Sequence, residues 1–174
     1  MEHVILVDEH DRPTGLMEKQ AAHIDPHLHR AFSIFLFNSK GELLMQQRAL
    51  SKYHSPGLWT NTCCSHPRAG ETLEEATSRR LMEEMGMRCE MHEVYTFIYM
   101  APVGQGLTEH EFDHVFIGQS DDIPEINREE VESWKYMSLN ALSEDLLLHP
   151  ELYTEWFKIT FEEMTHHAEL IGKI

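Results

Sequence analysis

Cysteine is scarce in this chain of 174 residues: there are three, two of them adjacent at Cys63 and Cys64. Three thiols do not make a disulfide framework, so the chain must close its own hydrophobic core, and a reducing cytoplasm is the compartment expected for it. Basic residues are also few. Lys and Arg total 14 against 30 Asp and Glu, a net charge of -16. Such a surface repels nucleic acid and anionic membrane, so neither is expected as a partner, and an anionic ligand would need a local cluster of cations or a bound metal. Long apolar runs are missing too. The longest, Ala31 to Phe37, is far short of the roughly 20 residues that span a bilayer. Met1-Glu2-His3 is not basic and no cleavable apolar stretch follows it, so no signal peptide is expected. There is no repeat, low-complexity segment or Gly/Ser linker. One domain over residues 1–174 is expected at roughly 150 residues per domain. Histidine, by contrast, is abundant, with 13 residues.

Glu2 to Asp8 reads as a strand, followed by a turn over Asp11 to Gly15. Ala31 to Asn38 and Glu42 to Gln47 read as a hairpin closed by Ser39-Lys40-Gly41. Further strands are expected at Val94 to Met100, His110 to Gly118 and Ser133 to Met137. From Leu139 to about Ile171 the pattern gives two helices broken near Pro150. A central helix has clear ends: Thr72 and Glu75 form a capping box, and Gly86 stands at the C-terminal glycine position. The class is α/β or α+β, a mixed sheet covered by helices.

The central helix carries charge where packing is expected. At roughly 100° per residue from Leu73, Thr77 falls at about 40°, Leu81 at about 80° and Ala76 at about 300°, so Arg80 (about 340°) and Glu84 (about 20°) lie mid-face. Buried charge is costly unless paired or bound. Two readings fit: an i,i+4 ion pair, or a cleft in which Glu84 binds a cation and Arg80 an anion. Glu71, Arg79, Glu83, Glu84 and Gly86 fit the spacing of the Nudix box, a loop–helix motif that grips metal–diphosphate. Ser65 replaces its first glycine and Arg80 its first helix glutamate, which argues against ordinary Nudix hydrolysis.

Glu109-His110-Glu111 adds two carboxylates to one strand face, with His110 pointing the other way. Two such carboxylates repel unless a cation lies between them. Taken alone, they read as solvated acids at an exposed strand end. His66, close after Cys64, and His23 and His29 around Asp25-Pro26 complete a donor set suited to Mn²⁺ or Zn²⁺. Spacing alone leaves the choice between these histidines and His27 open.

These residues together resemble the type 1 isopentenyl-diphosphate Δ-isomerases. The matching stretches are Leu28-His29-Arg30-Ala31-Phe32-Ser33, Arg48, Trp59-Thr60-Asn61-Thr62-Cys63-Cys64-Ser65-His66-Pro67, Glu109-His110-Glu111 and Trp156-Phe157. The resemblance implies a Nudix-like mixed sheet sandwiched between helices. The implied activity interconverts isopentenyl and dimethylallyl diphosphate by adding a proton at one carbon and removing one from another. It also implies Cys64 and Glu111 as catalytic residues, and a Mn²⁺ or Zn²⁺ site of His23, His29, His66, Glu109 and Glu111. Mg²⁺ would arrive with the diphosphate on Glu84 and the Cys64 backbone oxygen. Lys19, Arg48, Lys52, Ser65, Arg80, Tyr99 and Trp156 would meet the substrate, with Tyr99 assisting the acid and the Trp156 indole facing the carbocation. Cys64 would serve as a base, its thiol pKa lowered by nearby positive charge. The implied partner is a small-molecule diphosphate; no protein partner is implied. The alternatives are a Nudix pyrophosphohydrolase and a non-catalytic metal-binding protein.

Overall fold

In a computed structural model, residues 2–167 are described. In chain order the elements are β1 (His3–Val7), β2 (Pro13–Glu18), α1 (Lys19–Ile24), β3 (His29–Phe37), β4 (Glu42–Arg48), β5 (Trp59–Thr60), β6 (Cys63–Ser65) and α2 (Leu73–Met85). Then follow β7 (Met91–Gly104), β8 (Leu107–Gln119), β9 (Val131–Ser138), α3 (Leu139–Leu148), a 3₁₀ turn (Pro150–Leu152) and α4 (Glu155–His166).

β3 is the central strand. It pairs parallel with β8 and antiparallel with β1, β4 and β6, so the sheet is mixed. Its near-continuous apolar run is explained by burial on both faces. Phe35 and Phe37 pack with Phe157 and Phe161 of α4, whereas Phe32, Ile34 and Leu36 pack with Ala76, Leu81 and Met85 of α2. The expected sandwich of sheet between helices is therefore what forms. The same alternation separates the two cysteines: Cys63 enters the α2 cluster, and Cys64 packs against the α4 cluster.

α2 keeps its expected bounds. The Thr72 hydroxyl accepts from the Glu75 amide, and the Glu75 carboxylate accepts from the Thr72 amide. Gly86 caps the other end at φ 63°, where a Cβ would collide with the Glu125 carbonyl.

Other elements depart from expectation. The turn over residues 11–15 is shorter than expected, because β2 begins at Pro13. Antiparallel pairing with β1 overrides the local Pro/Gly signal. The expected strand at 94–100 is one arm of a longer hairpin that turns at Gly104-Gln105-Gly106. The short helix α1 had no periodic signal, being too brief to show one. Of the C-terminal helix expected to about residue 171, residues 155–166 are helical and residues 168–174 lie outside the described ones. Among the described residues no helix is long and apolar enough to cross a membrane.

Candidate active site

The parallel pairing of β3 with β8 sets His29 opposite Glu111, and the antiparallel pairing of β3 with β6 sets Ser33 opposite Cys64. His66 follows β6 directly. Glu109 and Glu111 share a face of β8, and α1 delivers His23. One ligand atom from each of His23, His29, His66, Glu109 and Glu111 lies within 4.8 Å of all the others. All five residues are buried. The reading as solvated acids, which applied to the pair taken alone, does not hold, because β8 runs into the core and both acids are buried. His27 stays outside the cluster, half exposed, and contributes only its backbone carbonyl, 2.8 Å from His29 Nδ1. His110 points away, toward the Pro26 carbonyl.

The donor set fits a divalent transition ion. His23 and His29 each direct Nδ1 to a backbone carbonyl, of Lys19 and His27 respectively. That fixes Nδ1 as the protonated nitrogen and turns the Nε2 lone pairs inward, as metal-ligating imidazoles require. His23 Nε2 meets Glu109 at 2.6 Å, and His66 Nε2 meets Glu111 at 2.9 Å. Burial and the charge of Glu111 push the Glu109 carboxyl up. For Glu111, burial acts in the same upward direction, but the neighbouring His66 and His29 imidazoles outweigh it and hold the carboxyl well below the usual range. Burial depresses His66 to about 4, which favours its neutral form.

Arg79, on α2, supports this cluster from behind. Its guanidinium grips both oxygens of Glu71, at 2.6 and 2.8 Å, and also lies 3.5 Å from the His66 carbonyl. The loop that presents His66 is thereby tied to α2.

A cleft opens beside the cluster. Every other residue expected at the site lines it: Lys19, Arg48, Lys52, Cys64, Ser65, Arg80, Glu84, Tyr99 and Trp156. Tyr99 donates its hydroxyl to Glu111. Trp156 is not simply a core residue of α4; it also carries the Arg48 guanidinium 5.0 Å from its ring centroid. Arg48 donates to the carbonyls of His54 and Ser55 and has no ion pair among the described residues. Arg80 and Glu84 are ion-paired, and Glu84 also accepts from Gln46 at 2.8 Å. The ion pair of the first reading is present, and the pair lines the cleft.

One electrostatic expectation fails. Positive charge was expected to lower the Cys64 thiol, but burial and the carboxyl of Asp113 push it up. Asp113 is itself fully buried, accepts from Ser33 at 2.8 Å, and leaves its other oxygen without a partner among the described residues. Asp113, Gln46, Asn61, Tyr53 and His54 are the neighbours that sequence reasoning missed. Alternation from Glu109 and Glu111 would have reached Asp113, whereas His54 carried no signal.

The model of the NUDIX domain matches residues 27–157. The isopentenyl-diphosphate Delta-isomerase of Pectobacterium atrosepticum is 51% identical over 158 residues, covering 91% of this chain and 88% of that protein. The isopentenyl-diphosphate Delta-isomerase 2 of Photorhabdus laumondii is 52% identical, covering 89% of this chain and 88% of that protein. Among solved structures, a protein from Deinococcus radiodurans has a TM-score of 0.73 at 22% identity, covering 99% of this chain and 98% of its own, which shows the shared fold. With a NUDIX domain over most of its length and relatives at half identity over nearly all of it, this chain belongs to the isopentenyl-diphosphate Delta-isomerase family.

Proposed function

We propose that the cleft interconverts isopentenyl and dimethylallyl diphosphate, with Glu111 and Cys64 exchanging protons with the two reacting carbons. The observation that carries the reading is the convergence of Cys64 and Glu111 on one cleft with Lys19, Arg48, Lys52 and Arg80. Arg48 is a half-buried cation with no ion pair among the described residues, an arrangement that favours an anionic ligand. Arg80 Nε and Trp156 Nε1 are buried donors without partners among the described residues, and both residues line the cleft.

Protonating an unactivated alkene demands a strong acid. A Glu111 carboxyl held far below its usual range is one whenever it carries the proton, and Tyr99 fixes its orientation. In the direction of the allylic product, Glu111 gives a proton to the terminal methylene carbon, and Cys64 as thiolate takes one from the carbon next to the diphosphate-bearing methylene. The tertiary cation between the two steps must be kept from water, and the indole of Trp156 offers it a π face.

His23, His29, His66, Glu109 and Glu111 would hold one Mn²⁺ or Zn²⁺. When bound, that ion supplies positive charge that raises the acidity of Glu111 and orders the carboxylates. Glu84 and the Cys64 carbonyl would hold the Mg²⁺ that accompanies the diphosphate. All three cysteines are free, in keeping with a reducing cytoplasm. The ligand is a small-molecule diphosphate, and the acidic surface argues against nucleic acid.

Nudix hydrolysis is disfavoured by one observation. Glu83, a helix carboxylate of the box, is spent on Arg79 and Arg80 and does not line the cleft. The test is incubation with isopentenyl diphosphate and Mg²⁺. Formation of the acid-labile allylic isomer supports the isomerase; phosphate release from nucleoside diphosphates without it supports the hydrolase. Tight metal binding with no turnover of either supports a metal-binding protein.

A further inference from the structure

Lys52 and Arg80 come from separate parts of the chain, the segment after β4 and the middle of α2, yet they meet on one oxygen. Glu130 Oε2 accepts from Lys52 Nζ, and Arg80 Nη2 lies 3.5 Å from the same atom. Both cations line the cleft and Glu130 does not, so its carboxylate touches them from behind the wall.

The mount of that carboxylate is fixed. The Glu130 N–H donates to the Asn127 carbonyl, and its own carbonyl accepts from Ala49 just past β4, both at 3.0 Å. Asn127 in turn donates its N–H to the Glu84 carbonyl in the last turn of α2, also at 3.0 Å. The segment is thus tied to the two elements that bear Lys52 and Arg80. A lysine head on a four-carbon stem is freely rotating unless something holds it, and ordering it at the moment of binding subtracts from affinity. Lys52 spends one of its three N–H donors on Glu130. Arg80 also donates to Glu83 and Glu84, but its Nε has no partner among the described residues, so both cations keep a donor for a ligand in front. The carboxylate also offsets the repulsion between the two cations.

We propose that Glu130 is a positioning residue for the diphosphate: from outside the cleft it gathers Lys52 and Arg80 into the geometry that receives the anion. The inference rests on the reading above that these two cations hold the diphosphate.

The test compares Glu130→Gln, Glu130→Asp, Lys52→Ala, Arg80→Ala and the Lys52→Ala/Glu130→Gln double variant, with isopentenyl diphosphate as substrate and inorganic pyrophosphate plus Mg²⁺ as competitor. Glu130→Gln should raise KM and the pyrophosphate inhibition constant together, by about tenfold, the size of a lost charge-assisted hydrogen bond, with kcat nearly unchanged. Glu130→Asp, keeping the charge on a shorter arm, should recover part of the loss. Removing Lys52 should shrink the effect of Glu130→Gln, because the two act through one contact. A lower melting temperature with unchanged KM would make Glu130 a structural ion pair only and overturn the proposal. A fall in KM would make Glu130 a competitor of the ligand and overturn it equally. If Lys52→Ala and Arg80→Ala leave both constants unchanged, the diphosphate has been placed wrongly and the inference goes with it. If they raise both constants and Glu130→Gln does not, the inference alone fails.

Discussion

The Cys64 thiol donates to the side-chain oxygen of Asn61, 2.9 Å from the sulfur, and Asn61 has no freedom to turn. Its amide nitrogen is spent on the carbonyls of Ile34 and Cys63, and Thr60 donates to the same oxygen that faces the sulfur. Burial and the carboxyl of Asp113 push the thiol up, which favours thiol over thiolate. The resting chain therefore holds its proton on Cys64, while Glu111 accepts hydrogen bonds as a carboxylate. On the proposed chemistry that is the state from which dimethylallyl diphosphate would react, with Cys64 giving a proton and Glu111 taking one, and the opposite direction would need the proton on Glu111 instead.

Cys64→Ala should lower kcat by at least about 100-fold, the smaller end of what a positioned acid or base contributes. Circular dichroism and metal content should stay unchanged. Cys63 is fully buried beside α2, on the other side of β6 from the cleft. Cys63→Ala should retain most activity and lose on the order of 1 kcal/mol in urea unfolding, as a small core truncation does. The reverse pattern would mean that the register of β6 is misassigned.

That register shows why some of the site was legible in sequence and some was not. Period-two alternation on β6 and β8 places Cys64 apart from Cys63, and Glu109 with Glu111, without any tertiary knowledge. The cap and glycine signals placed α2, and its helical geometry brought Arg80 and Glu84 to one face. Burial was not legible: whether Glu109 and Glu111 reach water depends on β8 lying alongside β3, a contact between residues about 80 apart. The choice of His23 over His27 depends on α1, whose six residues leave no periodic trace. The side chains of Glu130 and Asn61 are placed by contacts distant in sequence, with Lys52 and Arg80 and with the Ile34 carbonyl, which leave no trace in the local pattern. The thiol's raised pKa follows from its burial and then from Asp113, and both are tertiary.

His66→Ala should lose the tightly held ion that we expect at about one per chain from a five-donor set of this type. Its imidazole stands 2.9 Å from Glu111 and 3.2 Å from His29, at the centre of the cluster. Without it, two carboxylates face too few neutral donors. Elemental analysis of the purified variant is the check, and full occupancy would remove His66 from the ligand set.

Tyr99→Phe deletes one hydroxyl and nothing else. Tyr99 is fully buried on β7 and donates to the Glu111 oxygen that His66 does not meet. Its loss should lower kcat by roughly 10- to 100-fold, the value of a hydrogen bond to a charged group, with KM and metal content little changed. A rise in KM at constant kcat would place Tyr99 in substrate binding instead.

Arg80 and Glu84 share an ion pair on the cleft wall, and their substitutions should nonetheless have different effects. Glu84 presents one oxygen to Arg80 and the other to Gln46, so its carboxylate is held in place, and in the proposed function it would meet the cation that arrives with the diphosphate. Glu84→Gln should weaken the Mg²⁺ dependence of substrate binding while the His/Glu cluster keeps its ion, since Glu84 belongs to no part of that cluster. Arg80→Ala should raise KM by roughly 10- to 100-fold, the loss of a charge-assisted hydrogen bond to phosphate. Metal content should not change. Titration of activity against Mg²⁺ at fixed substrate separates the two effects: Glu84→Gln moves the midpoint for Mg²⁺, whereas Arg80→Ala moves KM even at saturating Mg²⁺. Normal turnover in both variants, accompanied only by easier unfolding, would reduce the pair to a structural salt bridge on the face of α2.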